Sequence, residues 1–131
     1  MKFRSPLTLL LGALLMQSIA FGADQQPGKC DVGPLHKTYG KVHWLVYSCT
    51  TDKNVVIVSA PGSPAMPFVF CFCMAEGSYR LYGEGTGNKE LTDAAFKDLQ
   101  QLTAQDIAGL ILQTKQVQHQ KQESDSNGKS P

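Results

Sequence analysis

An α+β domain is the fold this sequence predicts: an antiparallel sheet of about four strands in a meander, followed by two C-terminal helices packed on one face. Three observations predict it. Between Val42 and Tyr82 apolar residues recur with a period of two or in short β-branched runs. The links between those stretches are too short for parallel crossovers. Beyond Lys89 the apolar period lengthens to three or four residues.

The elements follow in order. Residues 23–41 are rich in Gly, Pro, Lys and Gln, with scattered apolar positions (Val32, Leu35, Tyr39), and read as an extended leader tied to the body by Cys30. In VHWLVYSC, Val42, Trp44 and Val46 alternate with His43, Leu45 and Tyr47, the pattern of a first strand. Turn residues Thr50 to Asn54 lead into the β-branched run Val55 to Val58, expected of a strand covered on both faces. The segment APGSPAMP holds three prolines, which lack a backbone donor, and predicts an ordered loop. Phe68 to Cys73 is the third strand, with Phe68, Phe70 and Phe72 on one face; Glu76-Gly77-Ser78 reverses the chain into the fourth, Tyr79 to Tyr82.

After the loop Gly83 to Lys89, Thr92 is expected to cap a first helix that presents Ala95, Phe96, Leu99 and Leu102 inward. Thr103-Ala-Gln-Asp106 forms an approximate capping box for a second, with Ile107, Leu110, Ile111 and Thr114 on its inner face. Residues 42–115 thus make a single α+β domain. Residues 116–131, rich in Gln and Ser with hardly an apolar side chain, are expected to be a disordered polar tail.

The first 22 residues carry a different signal. Lys2 and Arg4 precede an apolar stretch from Leu7 to Met16 and then small residues, the layout of a cleaved secretory signal peptide. A stretch of ten residues falls well short of the roughly 20 that span a bilayer. Cleavage would leave 10 cationic and 11 anionic side chains in 109 residues, so the net charge of +1 for the whole chain becomes −1. The product is expected in the periplasm or outside the cell, with no membrane span after cleavage. A charge near zero removes the electrostatic case for nucleic acid.

Four cysteines, Cys30, Cys49, Cys71 and Cys73, permit three complete pairings, and an oxidising compartment favours disulfides. Joining Cys30 to Cys49 fastens the leader to the end of the first strand. The pairing of Cys71 and Cys73 stays open, because residues i and i+2 of a regular strand lie roughly 6.5–7 Å apart, at the limit for a bridge. The alternative chemistry is a soft-metal site: Cys71, Cys73 and Met74, with Met66 or His43, are thiolate, thioether and imidazole ligands suited to Cu(I).

Other constellations carry less. GEGTGNK fails the phosphate-loop pattern at Asn88 and Glu90 and reads as a flexible connection, or as amides that meet an anion near the helix start. His36, His43 and His119 are accompanied by neither a nucleophile elbow nor a zinc-protease motif, and an active site would require His43 to converge with a carboxylate such as Glu84. Tyr47-Ser48-Cys49, a polar turn and a Val-rich strand resemble the Y-x-C start of the small periplasmic inhibitors of c-type lysozyme, which are disulfide-stapled β-barrels. The resemblance covers about 15 residues and ends where those inhibitors continue with strands and this chain turns to helices.

These readings predict a small exported protein that binds another extracytoplasmic protein, in the manner of an inhibitor or immunity factor, without chemistry or a cofactor of its own. Its expected surface is the sheet face left bare by the helices, with Trp44 and Tyr82 as the aromatic patch and Gly83, Gly85 and Gly87 in the adjoining loop.

Overall fold

The computed structural model describes residues 29–50 and 53–128; the expected signal peptide, residues 1–22, lies outside them. The chain forms a five-stranded antiparallel sheet followed by two helices. β1 (Val32–Tyr39), β2 (Val42–Ser48), β3 (Val55–Ser59), β4 (Phe68–Ala75) and β5 (Ser78–Gly85) lie in sequence order across it, and α1 (Lys89–Gln100) and α2 (Ala104–Asn127) follow. The meander of an α+β domain is therefore as expected, with one strand more.

The additional strand is β1, drawn from what reads as an extended leader. Gly40 and Lys41 both have positive φ (58° and 68°), so Tyr39 and Val42 close a two-residue hairpin whose twist suits paired strands. A register shift between Val32 and Leu35, around Gly33 and Pro34, interrupts the alternation that would have marked the strand. Gly40 has a second reason to lack a side chain. A Cβ there would lie 2.5 Å from the Ala95 amide nitrogen, and the Gly40 amide donates to Asp98 Oδ2 at 2.7 Å, which seats the hairpin on α1.

Asn88, rather than Thr92, caps α1: its side chain accepts from the Leu91 amide at 3.2 Å, while Thr92 is buried one turn inside and donates back to the Lys89 carbonyl. The expected box at α2 is complete, with Thr103 and Asp106 each accepting from the other's backbone amide. α2 continues to Asn127, through most of the segment expected to be a disordered tail. Gln, Lys and Glu are good helix formers, and a helix already nucleated by its packed first turns gains one hydrogen bond per added residue.

The core lies between the helices and one sheet face. Trp44, Val46, Ile57, Phe70 and Phe72 from the sheet meet Ala95, Leu99, Ile107 and Leu110 from the helices. Phe70 is its centre, with ring centroids 5.1 Å from Trp44, 4.8 Å from Phe68 and 6.3 Å from Phe96. A fully buried pair of side-chain hydroxyls crosses the interface. Thr114 Oγ1 donates to the Ile111 carbonyl at 2.6 Å and so accepts from Ser48 Oγ at 2.7 Å, satisfying both buried hydroxyls.

Candidate functional site

Alternation along five paired strands sends every second side chain to the face away from the helices. Registers place these side chains in rows. One row crosses the whole sheet as His36, Leu45, Val58, Val69 and Glu84; the next runs Tyr47, Val56, Cys71 and Tyr82, with Cys73 opposite Arg80 beyond it. Strands ~4.8 Å apart put the two edge strands about 19 Å from one another across this face. Among the described residues no layer covers it. Its middle is aliphatic and aromatic, and its polar groups stand at the sides: His36, Thr38 and His43 on β1 and β2, Arg80 and Glu84 on β5.

Tyr82 belongs to this face and is 54% exposed, but Trp44 does not. Trp44 is fully buried on the helix side, in register with Ser59, and its Nε1 donates to the Tyr39 carbonyl at 3.0 Å. The physical reason is its place in the alternation: Trp44 shares a face with Val46 and Ser48, which touch the helices, whereas His43, Leu45 and Tyr47 point the other way. Leu45 and Tyr47 therefore supply the apolar surface that the sequence reading assigned to Trp44.

The glycines also have other work. Gly83 and Gly85 are in β5, opposite Phe70 and Phe68, and a Cβ at Gly83 would meet the Phe70 ring at 2.9 Å. Gly87 packs against the Ala65 carbonyl. The amides of Thr86, Gly87 and Asn88 are committed within the protein: Thr86 and Gly87 donate to the Pro67 carbonyl and Asn88 to the Pro64 carbonyl, which zips this segment to the proline-rich loop.

Both pairs of cysteines are joined, Cys30 to Cys49 and Cys71 to Cys73, and no described cysteine is free. The second bond links residues two apart on β4, and the Cα atoms approach to 5.6 Å, closer than the spacing of an extended strand. In this state the Cys71-x-Cys73-Met74 segment offers no thiolate to a copper ion. Among the described residues no three His, Cys, Asp or Glu side chains gather as a metal site would require.

His43 lies on β2 and Glu84 on β5, three strand spacings or roughly 14 Å apart, so they do not converge. His43 Nδ1 instead stands 3.4 Å from Thr38 Oγ1, and His119 faces Glu123 at 3.3 Å on α2. The sequence missed Leu45, Tyr47, Val56, Val58, Val69 and Arg80 as surface residues. On β2, β4 and β5 their signal was present as the second set of the alternation, but only the position of the helices shows which set is left bare; β3, expected to be covered on both faces, is covered on one, and its unbroken β-branched run gave no sign that Val56 and Val58 face outward.

The geometry defines a class: an α+β module with a helix-covered face and an open, apolar one. No family model, curated protein or solved structure matches the chain, and the likeness of its Tyr47-Ser48-Cys49 stretch to lysozyme inhibitors gains no support.

Proposed function

We propose that this chain is a small exported binding protein that docks another extracytoplasmic protein on the open face of its sheet. The observation that carries the reading is the apolar centre of that face, where Leu45, Tyr47, Val56, Val58, Val69 and Tyr82 lie side by side inside a polar rim. Contiguous apolar surface rimmed by polar groups is how partner-binding surfaces are built. Export is supported by the basic, apolar and small-residue layout of residues 1–22 and by two disulfides, which persist in oxidising compartments. No described helix is long and apolar enough to cross a membrane.

The test compares Val58→Asp with Leu112→Asp, the latter changing an exposed leucine on α2 at the far side of the molecule. A charge at the centre of the docking face is expected to abolish capture of a partner that the native chain retains from periplasmic extract, while Leu112→Asp captures it as before. Equal capture by both variants would sink the reading.

A further inference from the structure

We propose that Cys71–Cys73 is a thiol–disulfide exchange site, opened by a dithiol reductant with Arg80 stabilising the departing sulfur. The two disulfides of this chain are placed for different purposes. Cys30–Cys49 joins residues 19 apart in sequence, and Cys49 is buried at the end of β2. Cys71–Cys73 joins residues two apart on one strand. β4 is already held without it, by a ladder to β5 along its whole length and a ladder to β3 from Val69 to Phe72. Closing so short a ring removes less chain entropy than the Cys30–Cys49 link does, and it ties no two elements together. Its opening therefore severs no connection between elements of the fold.

Its surroundings suit that chemistry. Cys71 and Cys73 lie on the open face and are half-buried residues, on the side from which a thiolate can approach. Arg80 is the direct cross-strand partner of Cys73, on the same face. Across the other ladder, Cys71 faces Val56, which carries no charge, and Tyr82 is its partner on β5. The next acid along β5 on this face, Glu84, pairs with Val69 and lies two residues further from the bond than Tyr82 does. A guanidinium beside a cysteine favours its thiolate and so makes it the better leaving group.

The step balances with a dithiol as reductant. One of its thiolates attacks Cys71 Sγ, forming a mixed disulfide, while the Cys71–Cys73 bond breaks and its electron pair passes to Cys73 Sγ beside Arg80. The second thiolate of the reductant then attacks the mixed disulfide and releases Cys71. Two electrons and two protons pass to the protein, and the dithiol leaves as a cyclic disulfide. The chain is the substrate of this exchange.

The experiment uses the full chain with both disulfides intact. It is incubated anaerobically with dithiothreitol at neutral pH, quenched with iodoacetamide at intervals, and the alkylated peptides are assigned by mass. Cys71 and Cys73 are expected to be alkylated at least roughly tenfold sooner than Cys30 and Cys49. Arg80→Gln is expected to slow opening of Cys71–Cys73 by roughly three- to tenfold at low salt, and Arg80→Lys to restore most of the rate. The exposed position of Arg80 lets these variants keep the fold, checked by an unchanged circular dichroism spectrum. Cys30–Cys49 opening first or at the same rate overturns the proposal, as does an Arg80→Gln chain that reacts as fast as the native one. The assay contains no partner protein, so its result is separable from that of the docking test.

Discussion

Single contacts in this protein are set by whether a buried polar atom finds its complement. Ser48 and Thr114 face one another across the sheet–helix interface with no exposed surface. Thr114→Val leaves the Ser48 hydroxyl buried without an acceptor and is expected to cost about 1–3 kcal/mol in urea denaturation. Adding Ser48→Ala should recover most of that loss, since removing both partners is far cheaper than removing one. At the start of α2, hydrogen bonds from the Thr103 backbone and side chain hold the Asp106 carboxyl below the usual carboxylate range. Its folded pKa lies below the unfolded one, so its contribution is whole above about pH 4 and fades as pH falls through the folded value. The gap in thermal midpoint between native chain and Asp106→Asn should therefore close on acidification from pH 6 to pH 2. Residues of this kind were partly legible. T-A-Q-D reads directly as a cap because all its partners lie within four residues, whereas the Ser48–Thr114 pair spans 66 positions and has no local signal.

Elements whose pattern is uninterrupted were readable, and those that depend on a neighbour were not. The Phe68, Phe70 and Phe72 stripe and the Ile107, Leu110 and Thr114 face stand in the structure as their periods predict. β1 escaped notice because the bulge at Gly33 and Pro34 breaks its alternation, and because pairing to β2 supplies the order that its own residues do not. The far end of α2 departs from its sequence expectation for the opposite reason. Its polar residues cannot form a core, but they need none, because they extend a helix already fixed by Ile107 and Leu110. Residues 119–127 are all exposed, and Gln118, which accepts from the Gly33 amide, is the last residue of α2 seen touching the sheet. A chain ending at Gln120 is expected to lose helical signal in far-ultraviolet circular dichroism while its unfolding free energy stays within about 0.5 kcal/mol of the native value.

At the scale of the whole molecule, one layer of helices protects one face of the sheet, and the chain between Cys30 and Cys49 is closed covalently around its first hairpin. Replacing Cys30 and Cys49 together by Ser should lower stability by about 3 kcal/mol, and replacing Cys71 and Cys73 by about half as much, because a shorter ring restrains the unfolded chain less. Paired urea titrations of the two double variants measure that difference. The class of fold, the core stripe and the β4–β5 turn at Glu76-Gly77 were determined by the sequence alone, since each rests on a local period or a turn residue, whereas four cysteines by themselves allow three pairings. Tertiary structure decided which face of the sheet meets the helices. A strand's alternation marks two faces without naming the inner one, and only packing against α1 and α2 turned Trp44 inward and left Leu45, Tyr47 and the Cys71–Cys73 bond outward.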